Sequence, residues 1–279
     1  MIDCSDSALL ETWFPIATSA DLPQGHIFHA QLLGQELAVW RADDEFVNVW
    51  ENRCLHRGVR LTLGTNLGNS LKCRYHGWRY ENRSAGCTYI PAHPANAPAT
   101  RIKNVTYDGM EQSGLVWARL KSTGNQPPAF EISNGAPLVL RSIPVRASAP
   151  LVAETLMVYR FAPNGETEVD PQAFDVSIEP LGAFELKGRS RADGDERVVM
   201  LFVQPVEQHR AIIHGLLLGA VSRDARLALL VHHNKEMKRI RDTLESNGRS
   251  ALDTRLSATG PAAAYRQSIA GKFSYGVVS

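Results

Sequence analysis

The chain is poor in the features that mark several common protein classes. Its 279 residues hold only 4 cysteines, too few to staple a chain of this length as a disulfide scaffold. Long hydrophobic runs are missing: the longest uncharged apolar stretch, Ala211 to Val221, contains His214 and falls well short of the ~20 residues a membrane span requires. No membrane partner is expected. Met1 to Pro15 carries three acids, no base and no apolar run ahead of a small-residue cleavage site, so the expectation is a protein without a secretory signal, in the cytoplasm, with reduced thiols. Neither sign of charge dominates, with 30 Lys and Arg against 29 Asp and Glu. Nucleic acid is therefore not expected as a partner either.

What the chain has is material for a sizeable core, since 44 % hydrophobic against 21 % charged residues is the composition of a folded protein. Short alternating segments fill residues 1–120, among them Glu36 to Trp40, Phe46 to Trp50 and Gly114 to Leu120. Alternation broken by turn material such as Arg41-Ala42-Asp43-Asp44-Glu45 predicts an antiparallel β domain there. Residues 121–129, polar and with two prolines, read as a linker. Residues 130–279 carry further strand candidates: Leu138 to Val145, Leu156 to Phe161, Val198 to Val203 and Ala211 to Leu218, the last two joined by a turn at Pro205 to Arg210. One helix is expected from about Asp224 to Ser246, where Leu230, Met237, Ile240 and Leu244 recur at helical spacing. The fold class is α+β.

Chemistry concentrates in Cys54-Leu55-His56-Arg57-Gly58 and Cys73-Arg74-Tyr75-His76-Gly77-Trp78. Each offers one thiolate and one imidazole, and sixteen residues separate His56 from Cys73. Structural zinc ordinarily takes Cys-x2-4-Cys and His-x3-5-His pairs, a habit these motifs do not follow. A [2Fe-2S] cluster in which two histidines replace two thiolates on one iron, the Rieske type, matches them. In that reading Cys54 and Cys73 hold the buried iron. His56 and His76 hold the outer one, their second nitrogens facing solvent or a redox partner. Gly58 and Gly77 let both loops approach the cluster closely.

With Trp13-Phe14-Pro15, Leu33-Gly34, Leu61, Gly64, Gly86-Cys87, Ile90-Pro91 and Gly114-Leu115-Val116-Trp117 beside those loops, residues 10 to 120 resemble the amino-terminal half of Rieske non-heme iron oxygenases. The type they resemble is the terminal oxygenase of the vanillate, dicamba and caffeine demethylase group. Many members carry proline after each cysteine. Here Leu55 and Arg74 stand in those places, which changes loop stiffness and removes no ligand. The resemblance implies a β-rich 2Fe-2S domain followed by a catalytic-like antiparallel sheet domain with a C-terminal helix. It also implies a reductase or ferredoxin as electron donor, and an oligomer in which electrons cross from one subunit's cluster to a neighbour's mononuclear iron.

The same resemblance puts mononuclear Fe(II) in this chain in doubt. The family holds that iron with two histidines and a carboxylate, the histidines in a segment reading Asn-x2-Asp-x2-His-x4-His. Aligned on Ala153 to Phe161, Thr155 replaces the Asn, Val158 the Asp, Phe161 the first His and Glu166 the second. Lys235-Glu236-Met237 stands where an acidic pair is usual, with Glu236 or Asp242 as substitutes, and the second domain is shorter than the family's. Of the remaining histidines, His209 is expected in a turn, His214 in a strand with a structural role, His233 in the helix's packing stripe, His232 in solvent, His93 in a loop, and His26 and His29 in surface or strand positions. Cys4 and Cys87 are expected to be inert, Trp78 to shield the cluster, and Arg57 and Arg74 to be solvated or to greet an acidic partner. The expected function is one-electron transfer within a homo- or hetero-oligomer that includes an oxygenase subunit. The alternatives are a self-sufficient monooxygenase, a hydroxylase or demethylase with iron on unusual ligands such as His209, His214 and an acid, and a redox sensor or scaffold.

Overall fold

A computed structural model of the chain describes residues 3–94, 101–127, 135–165, 174–192 and 195–246, with residues 265 and 267. It divides into two compact units, one of residues 10–128 and one of residues 129–279 together with the first nine.

The first unit has β1 (Phe14–Thr18), β2 (Ile27–Leu32), β3 (Gln35–Arg41), β4 (Val47–Glu51), β5 (Thr65–Asn66), β6 (Ser70–Lys72), β7 (Arg79–Glu81), β8 (Cys87–Tyr89), β9 (Thr106–Gln112) and β10 (Leu115–Arg119). They form a six-stranded antiparallel sheet in the order β1-β10-β9-β4-β3-β2 and a small sheet β5-β6-β7-β8. Two tight hairpins set the register of the larger sheet. Leu33-Gly34 and Ser113-Gly114 each place two successive residues at positive φ, the pairing that matches the twist of a two-residue β-turn. Leu37 to Trp40 in β3 and Leu115 to Ala118 in β10 are continuously buried, so both faces of these strands are covered and not the single face that alternation suggests. The small sheet shares a core with the larger one, in which Trp40 meets Trp50 edge-on at 5.1 Å and Leu61, Leu71, Tyr80 and Cys87 pack around Cys54 and Cys73.

The second unit begins with one turn of helix, α1 (Ser7–Leu10), and continues with β11 (Leu138–Val139), β12 (Ile143–Val145), α2 (Ala149–Leu156), β13 (Asp175–Pro180), β14 (Glu185–Ala192), β15 (Asp195–Glu207), β16 (Arg210–Leu218) and α3 (Arg223–Ser246). Its sheet runs β11-β16-β15-β14-β13, with β12 also on β16. The α+β class and the C-terminal helix follow the expectation. Four local expectations change. The strand expected at Leu156 to Phe161 is instead the end of α2 and the turn after it. Ala149, Val152, Ala153 and Leu156 are all buried, an i, i+3, i+4, i+7 face, and Pro150 in the first helical turn suits a helix start. Leu138 to Val145 is two short strands, because Leu138 lies opposite Leu217 but Ile143 opposite Ile213, a one-residue slip that breaks the ladder. The β15–β16 turn is only Gln208-His209. The buried stripe of α3 runs through Leu229, His233, Met237 and Leu244, starting one residue before the expected Leu230.

Candidate metal centre

Two loops carry the donors, one after β4 and one joining β6 to β7, and both follow one backbone plan. In each, the cysteine amide donates to the carbonyl five residues on, Cys54 to Val59 and Cys73 to Trp78, at 2.8 Å in both cases. The glycine amide four residues on donates back to the cysteine carbonyl, Gly58 at 2.8 Å and Gly77 at 3.2 Å. Both glycines sit in the left-handed region, at φ +68° and +69°, which a Cβ resists. The difference between Cys-x-His and Cys-x2-His is thus a difference in which position of a shared loop carries the ring.

Each loop buries its thiol and exposes its imidazole: Cys54 and Cys73 are 3 % and 2 % exposed, while His56 and His76 lie at the surface. The rings face each other with Nδ1 to Nδ1 at 3.0 Å. Two nitrogens on one tetrahedral ion with bonds of ~2.1 Å stand about 3.4 Å apart, so a small opening of this pair admits one metal. The two thiols are free and near enough that, after burial, Cys54 raises the pKa of Cys73. Among the described residues, no group of three or more His, Cys, Asp or Glu side chains is arranged to hold a single ion. Donors in two pairs, thiols inside and imidazoles outside, suit two metals bridged by inorganic sulfide and not one zinc.

The electrostatics fit the same group. Burial pushes the Cys73 thiol above its ordinary pKa, with backbone amides of Tyr75 and His76 pulling the other way. A thiolate in that place calls for a cation to stabilise it. Loss of water, then the neighbouring His76 and Arg57, hold His56 below its ordinary value, which favours the neutral ring that a metal needs. Trp78 stacks on His56 at 4.7 Å and 6°, and Tyr75 lies against His76 at 3.8 Å. Sequence reasoning missed Tyr80. Its hydroxyl is 3.1 Å from Cys54 Sγ, and burial, followed by that sulfur, holds it far above the usual phenol range, so it stays a proton donor. The signal was available: two residues beyond Trp78 on β7, Tyr80 points inward between outward Arg79 and half-buried Glu81.

The other candidates have surroundings of their own. His214 is held between Gln204 Oε1 at 2.8 Å and Ser142 Oγ at 2.9 Å, a structural role, and His209 is exposed in its turn. His233 is buried as expected and bonds Tyr159 Oη through Nδ1 at 2.6 Å. The expectation for His232 is corrected: it is 5 % exposed, because the segment after α2 covers it and its Nε2 accepts the Ala162 amide at 3.0 Å. In the segment aligned with the family's iron ligands, Thr155 donates to the Leu151 carbonyl, Val158 is exposed, and Phe161 is fully buried with its ring 5.2 Å from that of His233. Glu166 lies outside the described residues. Glu236 pairs with Arg239 at 2.9 Å and Asp242 with Arg241 at 2.9 Å. His26, His29 and His93 are exposed, Cys4 is half-buried, and Cys87 is buried in the core beneath the two loops.

Comparison with known proteins agrees with this geometry. Residues 12–106 match the Rieske [2Fe-2S] domain family. The chain is 54 % identical over 121 residues to oxidoreductase NdmD of Pseudomonas putida, covering 43 % of this chain and 20 % of that protein. It is 36 % identical over 129 residues to methylxanthine N1-demethylase NdmA of the same organism, covering 44 % and 36 %. The matches thus span about a fifth and about a third of those relatives. In three dimensions NdmA with caffeine aligns over 93 % of this chain and 90 % of its own, with a TM-score of 0.74 at 21 % identity. NdmB of Pseudomonas putida aligns over 96 % and 92 %, with 0.73 at 18 %.

Proposed function

Because the chain is a member of the Rieske oxygenase family, of caffeine demethylase-like type and with the [2Fe-2S] domain at residues 12–106, we propose that it is a one-electron carrier within an oxygenase system. Cys54 and Cys73 hold one iron and His56 and His76 the other. The chain takes electrons from a reductase or ferredoxin and passes them to the mononuclear iron of a partner oxygenase subunit, in a cytoplasmic homo- or hetero-oligomer. When bound, the cluster supplies a reversible one-electron site with a potential of roughly −150 to +300 mV.

The observation that carries this reading is the pairing of donors, thiols buried and imidazoles exposed with Nδ1 atoms 3.0 Å apart. The buried sulfurs are kept from water, and the outward ring edges give a donor or acceptor protein its shortest approach. The 54 % identity to a protein named an oxidoreductase supports a redox role for the first unit. In the second unit, Thr155 and Phe161 have structural roles where the family places an Asn and an iron-binding His, which supports delivery to another subunit's iron. His76→Ala is expected to abolish the Rieske signal in the reduced protein's paramagnetic resonance spectrum, and an intact signal would refute the ligand assignment.

A further inference from the structure

The two donor loops lie in a stretch of one-sided charge. From Asn52 to Tyr80 the chain carries six Lys and Arg and no Asp or Glu, although the whole chain balances 30 against 29. Three of the six have partners: Arg53 and Arg60 are held by Glu36, and Arg79 lies over the Tyr89 ring at 4.8 Å. The other three, Arg57, Lys72 and Arg74, are exposed and make no ion pair among the described residues. Each sits in or next to a donor loop. Because the His56 and His76 rings meet at 3.0 Å, the two loops form one tip and their charges add. The same tip exposes two large apolar side chains, Leu55 at 43 % and Tyr75 at 59 %, one beside each histidine in sequence. Apolar contacts next to the exchange point with free cations around them are the anatomy of a small, transient docking surface.

We propose that this tip docks an acidic electron-transfer protein, seated on Leu55 and Tyr75 and steered by Arg57, Lys72 and Arg74. The inference rests on the one-electron reading and adds to it the charge of the partner and the residues that select it. A near-neutral chain exerts little long-range pull, so a local group of three unpaired cations orients the encounter toward the histidines. A partner carrying carboxylates at its own redox edge meets complementary charge from residues 52–80, a stretch that itself holds no Asp or Glu.

The test uses the cluster-loaded chain and, as probe, a reduced plant-type [2Fe-2S] ferredoxin, an acidic one-electron donor, with cluster reduction followed by stopped flow. The second-order rate constant is expected to fall at least about tenfold between ~0.02 and ~0.3 M salt. This arm needs no substitution. At low salt R57E/R74E is expected to lose a comparable factor and R57Q/R74Q a smaller one, while R223E/R226E, the same change of net charge at the start of α3, stays within about twofold. Dithionite is expected to reduce the variants to the same spectrum as the parent chain, which shows that folding and cluster are kept. A rate that ignores salt, or an equal loss in both charge-reversed pairs, would overturn the docking proposal. Absence of any reducible cluster in the parent chain would instead overturn the one-electron reading beneath it.

Discussion

In the proposed centre, Tyr80 would tune the potential without touching metal. Its buried hydroxyl lies 3.1 Å from Cys54 Sγ, and a donor to a cluster sulfur favours the reduced state, in which sulfur carries more negative charge. If that bond is worth ~1 kcal/mol more to the reduced form, its loss lowers a one-electron midpoint by about 40 mV. Tyr80→Phe keeps the ring in the core, so the expected outcome is a midpoint lower by tens of millivolts with an unchanged spectrum, measured by redox titration. An unshifted midpoint would mean that the hydroxyl does not reach the sulfur when the cluster is bound. At this scale the sequence was legible where chemistry demands particular residues at fixed spacing, which is why Cys54, His56, Cys73 and His76 stand out. It was less legible where a role depends on orientation. Tyr80 acts only because the three-residue strand β7 turns it inward, and His232 is buried only because a distant segment folds over it.

Elements carry two further expectations. The donor loops close through Gly58 and Gly77, both at positive φ, but a Cβ at Gly58 faces open space whereas one at Gly77 meets Pro91 at 3.1 Å. Gly58→Ala is therefore expected to cost ~1–2 kcal/mol from backbone strain alone, and Gly77→Ala more, as read from denaturant midpoints. Equal costs would contradict the close approach of Pro91. In α3, burial first, then His232 and Arg197, hold His233 down to a pKa of about 3 against a reference of 6.5. Between those values the unfolded chain binds a proton that the folded chain refuses, so stability falls as pH falls, by up to ~1.4 kcal/mol per unit. From pH 7 to pH 5 the loss from this residue is expected to be about 2 kcal/mol, and His233→Gln, which can still accept from Tyr159, removes that increment. The same loss in both proteins would sink the assignment. Period decided which elements could be read. α3 shows its helical stripe over 24 residues, while the 8-residue α2 is so short and apolar that its end passes for a strand.

For the whole molecule, two kinds of likeness differ in extent. The sequence matches to NdmD and NdmA each cover fewer than half the residues, 54 % identity over 121 positions with the first, whereas the likeness in fold extends over 93 % of the chain at about a fifth identity. Cluster binding fixes residue identities at donors, glycines and shielding aromatics, so the first unit is readable from sequence. A sheet packed by a helix asks only for apolar volume in the right places, which leaves the second unit's topology open to sequence reading and its chemistry free to change. Phe161 in the core and His214 bound to Gln204 and Ser142 are what such a change looks like. The central claim, a chain with a cluster whose electrons serve another subunit's iron, is tested most directly by counting iron and acid-labile sulfide in anaerobically purified protein. Two irons and two sulfides per chain are the predicted result, and a reproducible third iron without added sulfide would contradict it.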